Sequence, residues 1–187
     1  ALRFALDRLT PDDISIIGVR TVGERFHARF SARSRVYRYR IWNGPTPPVL
    51  ARRFAWHVRA ELNLASMNRA AHWLIGEHDF SSFAGDGRGV PGSGADCRRT
   101  VFGAGWRSVA NDWEPGGTIV EFEIRANGFL PHMVRNIVGN LCKVGSGRAT
   151  PEWFAEALEW RDRRLAEAPA PPQGLVLWSV EYPNDAG

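Results

Sequence analysis

Residues 26–43 read FHARFSARSRVYRYRIWN, and their side chains suit one kind of chemistry above others. Arg25, Arg29, Arg33, Arg35, Arg38 and Arg40 stand close together, interleaved with Phe26, Phe30, Tyr37 and Tyr39, with His27 among them and Glu24 as the bordering acid. A guanidinium pairs bidentately with phosphate and stacks on bases. Aromatic rings set among such groups offer stacking platforms, so the stretch points to a nucleic-acid partner. Residues 34–42 have the β-branched and aromatic content of a strand. One parity carries Arg33, Arg35, Tyr37, Tyr39 and Ile41, the other Ser34, Val36, Arg38, Arg40 and Trp42. Neither face is simply apolar, so these arginines and tyrosines are expected to line an open sheet face that receives a polyanion.

Other chemistry-bearing residues are less pointed. His78 and Asp79 are adjacent, and neighbours on a strand diverge, so capping or turn roles are expected of them. The loop GDGRGVPGSGA at 85–95 lacks the G-K-[ST] and the strand–helix frame of a phosphate cradle and reads as a mobile connector. Cys97 and Cys142 are too few and too far apart for a disulfide framework or metal knuckle. No zinc pattern, nucleophile elbow or dinucleotide fingerprint occurs, so neither metal nor cofactor is expected. In FLPHMVRNIVGNLCKVG, Met133, Val134, Ile137, Val138, Leu141 and Val144 share one apolar helical arc. Arg135 lies just past its edge, beside Gly139 and Cys142. It reads equally well as a solvated arginine and as one reaching a partner at the sheet.

These residues need elements to hold them. Helices are expected at 1–9, from Leu64 to Ile75 (Asn63 as cap, Gly76 as stop), from Pro131 to Val144 (Gly145 as stop), and from Thr150 to Leu165. Strands are expected at 14–22, 34–42, 99–110 and 118–127, with a short element around Phe54 and Trp56. LVLWSVEYP closes the chain as a strand burying Val176, Trp178, Val180 and Tyr182, after an APAPPQG linker. Strand pairs alternating with helices predict an α+β fold: an antiparallel-rich mixed sheet with helices on one face. The chain has 187 residues, 44% hydrophobic and 24% charged, with net charge +4, a modestly basic globular composition. Lys143 is the one lysine beside 23 arginines. No apolar run reaches the roughly 18–20 residues of a membrane span, so a soluble, cytoplasmic protein is expected. A first residue of Ala suggests a processed or excised piece.

Taken in order, FHARFSARSRVYRYRI, HDFSSF at 78–83, CRRTV at 97–101, NGFLPHMVRNIVGNL at 127–141 and PPQGLVLWSVEYP at 171–183 resemble successive motifs of the tRNA pseudouridine synthase A (TruA) family across essentially the whole chain. The resemblance implies an RNA-modifying isomerase without cofactor. Such an enzyme breaks a uridine's N-glycosidic bond, rotates the base and rejoins it through carbon, at positions 38 to 40 in the anticodon arm of tRNA. It implies a homodimer, and a catalytic fold of two ferredoxin-like halves sharing a sheet around a basic cleft. By motif, Tyr37 corresponds to the active-site tyrosine that stacks on the extruded uracil, and Arg135 to the arginine that pairs with the nucleophilic carboxylate. Arg29, Arg33, Arg35 and Arg38 are expected to hold RNA phosphates, with Phe80 and Arg99 lining the site.

The family's nucleophile is the Asp of G-R-T-D-A-G, and no such motif occurs in these residues; Asp79, Asp86 and Asp96 stand in the wrong context. The whole chain, residues 1–187, therefore reads as the C-terminal portion of such a catalytic domain, the nucleophile belonging upstream, and by itself inactive. One alternative is a stand-alone RNA-binding module, although its RNP-type motifs are absent. Another is a small-molecule enzyme whose arginines reflect base composition.

Overall fold

The computed structural model describes residues 2–89, 91–112 and 114–183. The chain divides into two compact units, a smaller one from the first 33 residues with those from Tyr182 on, and a larger one spanning Ser34–Glu181.

In the smaller unit a short helix, α1 (Leu2–Asp7), has no buried residue. Tyr182 donates its hydroxyl hydrogen to Ala28 O at 2.8 Å, and its ring stands 5.0 Å from Phe26. The strand expected at 14–22 does not form: the segment makes no ladder, and Ile17 is 88% exposed. Its β-branched residues favour extended backbone, but a strand exists only where a neighbour takes up its N–H and C=O groups. Among the described residues no strand pairs with this segment; Asp7 accepts from Ile16 N at 2.7 Å and Arg3 donates to Ile17 O at 3.2 Å instead.

The larger unit runs β1 (Ser34–Asn43), β2 (Trp56–Val58), α2 (Leu64–His72), β3 (Gly76–Asp79), β4 (Arg98–Val109), β5 (Thr118–Ala126), α3 (Met133–Gly145), α4 (Pro151–Glu159) and β6 (Leu175–Glu181). The strands form one sheet ordered β2-β1-β5-β4-β3, with β6 also on β1. β1 pairs in parallel with β2 and antiparallel with β5 and β6. This is the mixed, antiparallel-rich α+β sheet expected from the sequence. Across β1 and β5, Tyr37 faces Ile124, Tyr39 faces Phe122 and Ile41 faces Val120. These residues form one core with Met67 of α2, Ile137 and Leu141 of α3, and Phe154 of α4, so the helices cover a single face. Asn63 caps α2 by accepting from Ser66 N, and Thr150 caps α4 by accepting from Trp153 N, at 2.9 and 3.1 Å.

α3 ends on Gly145, the residue expected to stop it, where a Cβ would collide with Met67 Sδ. The left-handed residue that follows is Gly147, at φ 73°. β6 does not bury Val176 and Trp178. It is the outer strand beside β1 with a register irregularity at Val36/Tyr37, and Leu177 and Trp178 are half exposed. The expected connector at 85–95 is tied at several points: Gly85 N donates to Pro131 O, Arg163 N to Gly89 O, and Cys97 Sγ to Arg88 O.

The face without helices carries the other parity of β1. Glu121 of β5 is 1% exposed. It accepts from Arg40 Nε at 2.8 Å and Arg107 Nε at 3.2 Å, with Arg38 Nε 3.6 Å away. Burial by itself would raise this carboxyl's pKa, but hydrogen bonds from Arg107 and Arg40 and the charges of Arg40 and Arg38 outweigh it, and the pKa falls below the usual value. Such a group stabilises the fold fully above the usual carboxylate pKa of 4.5 and ceases to do so as pH falls through the lower, folded value. Glu121→Gln is expected to cost about 1–3 kcal/mol at neutral pH and to lose less stability than wild type on acidification. Urea unfolding from pH 7 to pH 3 tests this; parallel acid-side losses in the two proteins would contradict it.

Candidate active site

The β5–α3 connection, residues 127–132, is the centre of the candidate site, and the sheet holds it from two strands. Asn127 exchanges two hydrogen bonds with Thr100 of β4: its N donates to Thr100 O and its Oδ1 accepts from Thr100 N, both 3.0 Å. Arg35 of β1 donates from Nη1 to Asn127 O at 2.7 Å. Phe129 meets the Tyr37 ring edge-on, with centroids 5.0 Å apart. A Cβ on Gly128 would stand 3.6 Å from Cδ and Nε of Arg99, so the Arg99 stem runs alongside the loop. His132 enters α3 in the left-handed region at φ 60°, a conformation that costs a non-glycine residue energy and recurs at sites where a chain must turn for function.

Arg135 follows in the first turn of α3. Its Nε donates to Ala170 O at 2.6 Å, and its own carbonyl accepts from Ala170 N at 3.0 Å. Among the described residues nothing bonds its two terminal amino groups, which remain available to an acceptor. Tyr39 lies beside it, donating to Pro171 O at 2.6 Å. Burial raises the Tyr39 pKa, the neighbouring Cys142 adds to the rise, and Arg135 opposes it. Tyr39 is thus a neutral structural donor. Tyr37 lies two residues along the same face, roughly 7 Å away, half-buried, with a hydroxyl that makes no hydrogen bond among the described residues. Tyr37, against Phe129, and Arg135, in the first turn of α3, therefore share the helix-bearing side of the sheet.

The remaining expected residues divide. Arg35 and Arg99 join Tyr37 and Arg135 around the loop. Arg38 does not: strand alternation puts it on the opposite face, with Nε 2.7 Å from Glu123 Oε2 and its guanidinium 3.8 Å over Trp178. The tyrosines and Arg38 thus do not line one open face, as the sequence suggested. Arg38, Arg107 and Arg125 border a shallow groove of about 540 Å³ whose floor includes Gly103 and Gly105. Phe80 is 0% exposed and sits in the core, so it presents no surface to RNA. Arg29 and Arg33 belong to the smaller unit, where Arg29 lies 5.6 Å over Phe30. His78 and Asp79 have local roles: His78 Nε2 is 3.1 Å from Ile75 O, and Asp79 accepts from Ser81 N at 2.9 Å. No group of three His, Cys, Asp or Glu among the described residues is placed to hold a metal. No described helix is long and apolar enough to cross a membrane.

Residues 70–183, which include the 127–132 loop, α3 and β6, match the sequence profile of a family described as tRNA pseudouridine synthase. The chain belongs to that family. It is 43% identical over 93% of its length to tRNA pseudouridine synthase A of Bordetella avium, and 41% identical over 96% to that of Brevibacillus brevis. It is 39% identical over its whole length to that of Actinobacillus succinogenes. The matched region spans 61% to 69% of these relatives' own lengths. Sequence reading missed the strap at 163–171, whose carbonyls engage Arg135 and Tyr39. Its Pro and Ala composition reads as linker, and the polar residues that receive it on α3 are spread over three turns.

Asn127 ties both strands to the loop. Asn127→Ala is expected to cost about 1–2 kcal/mol and to speed hydrogen exchange of the Thr100 amide, measured by NMR with urea unfolding. An unchanged Thr100 exchange rate would show that the loop is held by other contacts.

Proposed function

We propose that this chain supplies one wall of the active site of a tRNA pseudouridine synthase, and that the whole protein isomerises uridine to pseudouridine in the anticodon arm of tRNA. The observation that carries the reading is that one face, in a chain of this family, holds a tyrosine hydroxyl and two terminal amino groups of an arginine that make no hydrogen bond among the described residues.

The reaction breaks the N1–C1′ bond of uridine and forms C5–C1′. The C5 hydrogen leaves as a proton and N1 gains one, so no cofactor is required. A base in a folded RNA must leave its stack before side chains reach the sugar bond. Tyr37 is assigned to stack on that base, supported by its edge-on contact with Phe129. Arg135 is assigned to hold a carboxylate: a guanidinium beside an acid keeps it ionised and fixes its direction. The carboxylate itself is assigned to a G-R-T-D-A-G segment, which this sequence does not contain. Arg35 and Arg99, beside the loop, and Arg29, Arg33 and Arg38 are assigned to the RNA backbone, where phosphate neutralisation sets affinity and salt dependence. The whole protein is proposed to act as a cytoplasmic homodimer.

The 187-residue chain by itself is expected to bind tRNA with affinity that falls steeply with salt, and to release no tritium from tRNA carrying [5-³H]uridine. In the full-length protein, Arg135→Ala is expected to lower kcat by at least about 10²-fold with little change in tRNA affinity. Sustained tritium release by the chain alone, or an active Arg135→Ala protein, would overturn the reading.

A further inference from the structure

The segment after α4 is a strap seated on a polar stripe of α3, and the same strap holds Arg135. Arg163, at its start, is half-buried, and its fork makes three hydrogen bonds: Nη1 to Ala166 O at 3.0 Å, Nη2 to Glu167 O at 2.8 Å and Nη2 to Asn136 Oδ1 at 2.9 Å. Asn136, buried in α3, donates in turn to Phe83 O at 2.7 Å. Asn140, one turn on and also buried, donates to Asn136 O and accepts from Glu167 N, at 2.7 and 3.2 Å. Lys143 reaches Glu167 at 2.6 Å. Between these, Gly139 leaves room for the strap backbone: a Cβ there would collide with Ala168 O. Two residues later Ala170 O accepts from Arg135 Nε.

Every polar position on this stripe therefore serves the strap, and the strap ends on the Arg135 guanidinium. A planar guanidinium with Nε bonded can rotate little, so its terminal amino groups keep one direction. A side chain that loses such support stays in the site but loses its aim. We propose that Arg163 is a positioning residue for Arg135, acting through the strap carbonyl of Ala170, with Gly139 as the clearance that seats it. The inference rests on reading Arg135 as the partner of the reacting carboxylate, and adds what fixes its orientation.

The test uses the full-length protein and four variants. Arg163→Gln removes the fork. Gly139→Ala leaves every hydrogen-bonding group in place, suits a helix better than glycine, and pushes the strap away. Arg135→Ala is the control. Both Arg163→Gln and Gly139→Ala are expected to lower kcat for tritium release by about 10²-fold, with KM for tRNA unchanged. Arg163→Lys, which keeps the charge but cannot form the fork, should recover part of the loss. The Nε–H proton of Arg135, followed by NMR, should exchange slowly in wild type and rapidly in Gly139→Ala. If Arg135→Ala is inactive while Gly139→Ala keeps wild-type kcat and a slow Nε–H, the strap does not position Arg135 and the inference fails alone. If Arg135→Ala is itself fully active, the functional reading fails and the inference with it. Should Arg163→Gln fail to fold, Gly139→Ala decides the question.

Discussion

The two-residue alternation of β1 against β5 governs how this molecule divides its work. Because successive side chains on a strand point to opposite faces, Arg35, Tyr37, Tyr39 and Ile41 lie under the helices while Arg38, Arg40 and Trp42 lie on the other side. A slip of one residue in the β1–β5 register would exchange the two sets. It would then put charged arginines against Phe122 and Ile137, so the apolar core locks the register and, with it, the face on which Tyr37 stands. The clustering of arginine and tyrosine in the sequence is thus two arrangements interleaved. One gathers around the 127–132 loop and α3; the other is a charged face organised around the buried carboxylate of Glu121.

The two faces obey different energetics. Glu121 has lost its water, and Arg40 and Arg107 replace it with hydrogen bonds while Arg38 adds its charge from 3.6 Å. Breaking one arm of a buried ionic cluster leaves its partner exposed to the full desolvation penalty. On the helix-bearing face the logic is reversed. Tyr39 and the Nε of Arg135 are fully committed to strap carbonyls, whereas the Tyr37 hydroxyl and the terminal amino groups of Arg135 are not. Uncommitted polar groups next to committed ones are what a site needs when its reacting partner comes from elsewhere.

Much of this was legible in the sequence. β5 alternates from Val120 to Ala126, and Asn63 and Thr150 announce their helices by cap chemistry that depends on local backbone alone. The apolar arc of α3 was equally plain. What was not legible depended on partners distant in sequence. Residues 14–22 have strand composition but no neighbour to pair with, and β6 is apolar yet lies at an edge. Phe80 belongs to a site-like motif but points into the core. Arg135 read equally as solvated or functional because its decisive contact, Ala170 O, comes from a segment whose composition resembles a linker. Gly139, which stood out in the sequence only as a neighbour of Arg135, leaves room for the strap backbone.

The central claim is that Tyr37 and Arg135 form one wall around a place for a carboxylate supplied by another part of the protein. A crystal structure of the full-length protein bound to tRNA tests it most directly. The account predicts an aspartate carboxylate within about 3 Å of the terminal nitrogens of Arg135, with the extruded uracil stacked on Tyr37. An aspartate seated elsewhere, or a uracil bound on the opposite, Arg38-bearing face, would contradict it.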